Sequence, residues 1–250
     1  MKGPIRAHLV CGGKWHDMDF ARVELLKLLN ENSEIRTRVT EDFSDTRAIS
    51  QADFLLTYTC DLEVSEDQQK ALAEFVRGGK RWFALHGTNS IFDFTADGVA
   101  APRNHPVLMQ TLGSQFVAHP PIMSYRVEIS DADHPLVRGI EPFEVDDELY
   151  LCEYHGENRP LLETRFTGEA AGFIEKDWPD DDPRLVMYLH REGLGEVLYL
   201  TLGHCRGKYD MQPLMAEYPK VERGSWEVPA YYELLRRGLD WAAGTLEPAE

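Results

Sequence analysis

The chain is short of basic charge. Against 43 Asp+Glu it carries 26 Lys+Arg, a formal net charge of −17 over 250 residues. Phosphate binding needs a basic stripe that displaces counterions, so this balance argues against a nucleic-acid partner. Long apolar runs are also missing, and nothing approaches the roughly 18 consecutive apolar residues of a membrane span. The opening text MKGPIRAHLVCGG has an apolar run only from Ala7 to Val10, broken by His8. That is too short for a secretory signal. Cys11, Cys60, Cys152 and Cys205 stand far apart with no C-x-x-C pair, so free thiols in a reducing compartment are expected. The phosphate-cradling patterns G-x-G-x-x-G and G-x-x-x-x-G-K-[ST] are absent, and no nucleotide cofactor is expected. A G-x-S-x-G elbow and an H-E-x-x-H zinc helix are absent too. These absences leave a cytoplasmic, acidic protein that handles a small molecule, with neither nucleic acid nor membrane as partner. A homodimer is the assembly expected from general frequency alone.

Hydrophobic residues at 43% and aromatics at 10% suffice for a packed core. The first half alternates strand and helix. Residues 5–11 read as a strand, 20–30 as an amphipathic helix, 35–40 and 53–59 as strands, and 81–86 as another. Ser65-Glu66-Asp67-Gln68 forms a capping box before an apolar stripe of Leu72, Phe75 and Val76, closed by Gly78-Gly79. Such a rhythm predicts an α/β fold with an open, mostly parallel sheet flanked by helices. The second half is less regular. Residues 125–129 and 145–154 read as strands, 185–190 and 196–201 as a hairpin about Glu192-Gly193-Leu194-Gly195, and 229–243 as a closing helix. Residues 87–123 and 205–228 lack a period, as a lid or binding loop would. No linker divides the chain, so a single domain over 1–250 is expected.

Ligands in open parallel sheets sit beyond the carboxyl ends of strands. Three strand exits each deliver a histidine there: Trp15-His16-Asp17, His86-Gly87-Thr88-Asn89 and His204-Cys205-Arg206. Singly, each could be a hydrogen-bonded core or loop histidine. Together they suggest one crevice in which neutral imidazoles bind a divalent cation, zinc or manganese, at about 2.0–2.1 Å for zinc. A carboxylate would complete the set, and Asp147 or Glu148 in VDDELY is the candidate, with a solvated strand end as the plain alternative. His119, before Pro120-Pro121, is a candidate proton carrier. Asp17, Asn89 and Arg206 are placed for substrate contacts, and Trp15, Tyr209 and Trp226 for sugar stacking, unless they merely anchor loops.

RWFALHGTNS, GSQFVAHPP, ISDADHPLVRGIEPFEVDDELY and GEVLYLTLGH together resemble the trehalose-utilisation protein A (ThuA-like) family over most of the chain. The resemblance implies a flavodoxin-like, class I glutamine amidotransferase-like fold that has lost the amidotransferase cysteine. His86 then stands at the nucleophile elbow and His204 where the general-base histidine would lie. Residues 92–106 and 206–228 read as insertions on the ligand side. The family's association with disaccharide use, beside enzymes that oxidise a sugar hydroxyl to a ketone, implies an enzyme acting on a 3-keto glycoside or disaccharide. Elimination or hydrolysis would employ metal-bound His16, His86 and His204, with Glu148 or His119 moving the proton. Two other readings stay open: a non-catalytic sugar-binding or regulatory protein, and a cysteine-dependent amidase-like hydrolase using Cys60 or Cys205.

Overall fold

The computed structural model describes residues 3–246. Its organising element is a nine-stranded sheet. Strands β1 (Ile5–Gly13), β2 (Ile35–Thr40), β3 (Phe54–Cys60) and β4 (Arg81–Leu85) pair in parallel, in the order β2-β1-β3-β4. The strand Gly195–Leu200 continues the parallel run beside β4. Beyond it the sheet turns antiparallel through Pro183–Glu192, Asn158–Arg165, Met123–Ile129 and the edge strand Phe143–Asp147. β3 is buried at every position, as the continuous Phe54-Leu55-Leu56 and the β-branched Thr57 and Thr59 suit a central parallel strand.

Helices cover both faces. On one, Leu25, Leu28 and Leu29 of helix Met18–Glu31 share a core with Leu234, Leu235 and Leu239 of helix Pro229–Ala243. On the other, Leu72, Phe75 and Val76 of helix Glu66–Arg77 pack with Leu108, Met109 and Leu112 of helix Pro106–Leu112. The capping box is present in full: the Ser65 hydroxyl accepts the Gln68 amide, and the Gln68 side chain accepts the Ser65 amide. This is the open α/β sheet expected from the sequence, with a parallel half and an antiparallel extension.

Several expectations need correction. Residues 145–154 do not form one strand. Phe143–Asp147 ends at Asp147, and after three non-strand residues Leu151–Tyr154 joins a different, two-stranded sheet with Ser114–Ala118. The break lets Glu148 and Tyr150 leave the alternation of a strand and enter the crevice. The aperiodic stretch 87–123 conceals the helix Pro106–Leu112 and the strand Ser114–Ala118. That strand is buried at all five positions, so no polar alternation marks it. The strand Asn158–Arg165 has no legible pattern, because Pro160 and its charges obscure the alternation. Residues 206–223 are mainly turns and bends, pinned by a bridge between Arg206 and Glu222.

Candidate metal centre

Strand register carries the chemistry to one place. β1, β3, β4 and Gly195–Leu200 run side by side in parallel, so their exits gather at one edge. Beyond three of them lie His16, His86 and His204, and Glu148 reaches in from the strand break. All four are buried, and one donor atom from each lies within 4.8 Å of the others.

His86 occupies the elbow after β4 with φ +44°, a left-handed conformation that β-carbon sterics disfavour. Two other non-glycine residues do the same: Trp15 (φ +70°) after β1 and Asp61 (φ +50°) after β3. Such strain costs about 1–3 kcal/mol at each position and gathers at functional sites. Asp61 ties these exits together. Its carboxylate accepts the Trp15 indole N–H at 3.0 Å, the Lys14 ammonium at 2.9 Å and the Phe92 amide at 3.3 Å.

The outer nitrogens of two histidines are already engaged. His86 Nδ1 lies 2.7 Å from the Thr201 carbonyl, which fixes that nitrogen as the donor and turns Nε2 inward. His204 Nε2 lies 2.9 Å from Glu222 Oε2, which turns the buried Nδ1 inward toward Glu148. Inward of these, His16 Nε2 and His86 Nε2 are 2.8 Å apart. His16 Nε2 and His86 Nε2 lie 3.6 Å and 3.5 Å from Glu148 Oε2, and His204 Nδ1 lies 3.1 Å from Glu148 Oε1.

Donors bound tetrahedrally at about 2.0–2.1 Å stand about 3.3 Å apart, so these four contacts are near that spacing and the full set, within 4.8 Å, could draw in round a small divalent cation. The carboxylate–His204 and carbonyl–His86 pairs are the outer-shell partners that metal-ligating histidines characteristically have. His16 departs from that pattern, because its buried Nδ1 has no partner.

Charge follows the same geometry. Burial pushes the His16 imidazole down to about 3, so it is neutral with a lone pair to offer. Burial also opposes charge on His204, but the Glu148 charge and contact and the Glu222 hydrogen bond outweigh it and raise this imidazole to about 9. Glu148 is buried too. The charges of His204 and His119 and its contacts with His16 and His204 nevertheless hold it well below the ordinary carboxylate value. The cluster is therefore built around a buried anion.

Asp147, the other carboxylate candidate, takes no part in the donor set. Fully buried, it accepts the backbone amides of Glu148, Gly203, His204 and Ser225. It positions the segments that carry two of the four donors.

A cavity of about 350 Å³ opens onto the cluster, with His16 and Glu148 in its wall. His119 and Arg206, both expected at the site, line it. His119 Nδ1 is 2.7 Å from the Pro120 carbonyl, leaving Nε2 free at 4.0 Å from Glu148 Oε1. Arg206 sits 3.5 Å from Glu148 Oε1 and over the Tyr218 ring, and its Nε has no hydrogen-bond partner. Trp15 lines the cavity as expected.

Other candidates lie elsewhere. Asp17 caps helix Met18–Glu31 through the Phe20 amide and pairs with Arg223 at 3.1 Å. Asn89 is fully buried and donates to Ser114 Oγ at 2.6 Å, so it has no surface for a ligand. Tyr209 is exposed and lies outside the cavity lining, with Lys208 over its ring. Trp226 is a core residue bonded to the Gly203 carbonyl. Burial raises Cys60 well above the ordinary thiol value and Cys205 to about 12, and neither is a ready thiolate.

Residues that the sequence does not single out are Glu222, in an aperiodic loop, and Tyr150, whose hydroxyl lies 3.4 Å from His86 Nε2. Phe92, Phe94, Phe116 and Phe173 of the cavity wall carry no such signal either. Phe92 and Phe94 do fall within a segment that reads as a ligand-side insertion.

An amidotransferase-like α/β fold with a histidine at its elbow defines the class. The family model for ThuA, trehalose utilisation, matches residues 8–217, and the chain belongs to that family. Among solved structures, a provisionally assigned ThuA-like protein from Parabacteroides merdae ATCC 43184 superposes with a TM-score of 0.64 at 16% identity, covering 98% of this chain and 92% of its own. Another from Bacteroides uniformis ATCC 8492 gives 0.67 at 15% identity, with 97% and 93% covered. A provisionally assigned GMP synthase component from Thermoplasma acidophilum gives 0.52 at 10% identity, with 98% and 96% covered. At such identities the likeness establishes the fold. No curated protein sequence matches the chain. The family places the protein in a carbohydrate-related role. Among the described residues, no helix is long and apolar enough to cross a membrane.

Proposed function

We propose that His16, His86, His204 and Glu148 hold one divalent cation, zinc or manganese, and that the protein cleaves a glycoside or disaccharide oxidised to a ketone at C3. The observation carrying this reading is the convergence of one buried donor atom from each of these four residues within 4.8 Å of one another, with His86 Nδ1 and His204 Nε2 held from outside by the Thr201 carbonyl and Glu222. Without a cation, His204 and Glu148 pair as imidazolium and carboxylate at 3.1 Å, and a cation would take the place of that proton. A bound cation supplies Lewis-acid polarisation to an oxygen at the mouth of the cluster.

The chain's own groups supply the rest. A C3 ketone acidifies the C2 proton. His119 Nε2, its tautomer set by the Pro120 carbonyl, stands on the cavity wall to take that proton. The C2–H electron pair becomes the C1=C2 bond, the C1–O bond breaks, and the departing oxygen receives the proton. Addition of water across the double bond completes hydrolysis. Arg206, held by Glu148 at 3.5 Å and lining the cavity, sets its guanidinium beside a substrate oxygen. Glu148 acts as a cation ligand here, since it lies within the donor set.

The test is elemental mass spectrometry on dialysed protein, combined with release of the alcohol from a 3-keto glycoside. About one zinc or manganese per chain, lost in His86→Ala and Glu148→Gln, is the expected result. Turnover should fall strongly in His119→Gln while its cation is retained. Failure to bind either cation after incubation overturns the centre. A bound cation without cleavage leaves a sugar-binding protein in place of the enzyme.

A further inference from the structure

Hydrogen-bonding groups are distributed very unevenly over the cavity. Its polar side chains gather about the cluster: His16 belongs to it, Arg206 and His119 approach Glu148 at 3.5 Å and 4.0 Å, Tyr150 approaches His86, and Ser90, with an unpartnered hydroxyl, closes the short helix that His86 begins. Away from it the walls are Phe92, Phe94, Val99, Phe116, Ile122 and Phe173. None of these side chains carries a hydrogen-bonding atom. Trp15 adds none either, because its indole N–H is spent on Asp61 at 3.0 Å. The rings also form a connected cage. Trp15 meets Phe94 edge-on at 5.2 Å, Phe92 lies 5.8 Å from Phe94, and Phe116 lies 5.8 Å from Phe173.

Sugar rings do stack on aromatic faces, but their hydroxyls point outward round the edge and must exchange water for protein partners. A second sugar in this half of the cavity would lose water from several hydroxyls with no side chain to replace it. Each such loss weakens binding about tenfold. A flat apolar group has no such requirement and gains from burial and from ring contacts.

We infer that the leaving group is an aromatic aglycone: the site takes an aryl glycoside, sugar at the polar end and aryl group in the cage, in preference to a disaccharide. This rests on the proposed function for which end of the substrate reacts, but the preference itself is a property of binding. Phe92, Phe94 and Val99 come from the segment 92–106, which carries the hairpin Asp93–Thr95/Gly98–Ala100, so that segment supplies one side of the cage.

The test is titration calorimetry, with tryptophan fluorescence as a second signal. Probes are phenyl and 2-naphthyl glucosides of both anomers, the matching methyl glucosides, trehalose and cellobiose. An aryl glucoside should bind at least tenfold more tightly than its methyl counterpart and than either disaccharide. Phe94→Ser, a change at a half-exposed ring that the fold does not need, should abolish most of that advantage and leave methyl glucoside binding within twofold. The same preference should persist in protein treated with a chelator and in His119→Gln, both assayed for binding alone. If turnover is lost or never found while the preference remains, the proposed reaction falls and the aglycone assignment stands. Disaccharides binding as tightly as aryl glucosides, or no aryl glucoside binding at all, overturns the assignment even if the cation and turnover are found.

Discussion

Replacing Asp147 by alanine tests whether the site is held together from behind. The carboxylate is fully buried and accepts Glu148 N at 2.7 Å, Gly203 N at 3.1 Å, and His204 N and Ser225 N at 3.2 Å. These amides belong to three separate stretches of chain, so one side chain joins the strand break, the exit of Gly195–Leu200 and the short helix Gly224–Glu227. A hydrogen bond to a charged group contributes about 1.5–3 kcal/mol. Simple addition over four amides overstates the loss, because they share one acceptor and water can re-enter the space. A loss of about 3–5 kcal/mol is expected, as when a buried charged group is taken from its partners. That is a large part of a typical total of about 5–15 kcal/mol. In urea, the midpoint should fall by about 1 M or more with the slope unchanged. Asp147→Asn restores the volume but turns an amide NH₂ toward amide donors, so it should recover less than half of the loss. A loss below about 1 kcal/mol for alanine, or asparagine equal to wild type, would refute the assignment of Asp147 as the joint.

Two further outcomes follow from the same contacts. Glu222→Gln weakens the support behind His204 Nε2, and affinity for zinc should fall about 10–100-fold in competition with a chromophoric chelator, with the thermal midpoint little changed. The second concerns pH. Burial holds His8, His134 and His190 below the ordinary 6.5. Below that pH the unfolded chain takes up protons that the folded chain refuses. Their contribution is complete above about pH 7 and is lost as the pH falls through 6.5 toward the folded values. His204, raised to about 9 in the folded chain, contributes more as the pH falls over the same range and opposes this loss, so the test is a difference between variants. Between pH 7.5 and 5.5 the urea midpoint of His8→Gln should fall less than that of wild type, and parallel profiles contradict burial as the cause.

The centre was legible where the parallel sheet dictates position. His16, His86 and His204 each follow a strand, and strands that run side by side in parallel must release their next residues at the same edge. Choosing between Asp147 and Glu148 was beyond the sequence. The two are adjacent in VDDELY, and their different roles depend on the strand ending at Asp147, which no propensity in that run marks. Glu222 is separated from His204 by a loop without a period, and a single glutamate there looks like any solvated residue. The phenylalanines of the cage escaped for a related reason: periodicity detects a face of a helix or strand, and Phe92, Phe94 and Phe173 face a cavity from turns and short hairpins. Asn89 misled for the opposite reason. It follows a strand exit as a ligand-binding residue would, but the short helix His86–Asn89 turns it inward to Ser114.

The elbow at His86 also indicates how little the centre must change to take a cation. In an amidotransferase-like fold, the strained turn after this strand lifts one side chain into the crevice, and lifting is useful for a ligand as well as for a nucleophile. Here the turn is held on several sides. The Tyr199 hydroxyl donates to the His86 carbonyl at 2.6 Å, Thr201 holds Nδ1, and Gly87 allows an approach in which a β-carbon would lie 2.6 Å from the Thr59 carbonyl oxygen. The strain is therefore met when the chain folds, before any ligand arrives. The contacts of the inward atoms run from 2.8 to 3.6 Å, and one donor atom from each residue lies within 4.8 Å of the others, against about 3.3 Å in a tetrahedral set. Small rotations of imidazole and carboxylate groups absorb such a difference. Hence metal loading should proceed without rearrangement of the sheet, and the selectivity of the centre should come from its fixed donor set of three imidazoles and one carboxylate.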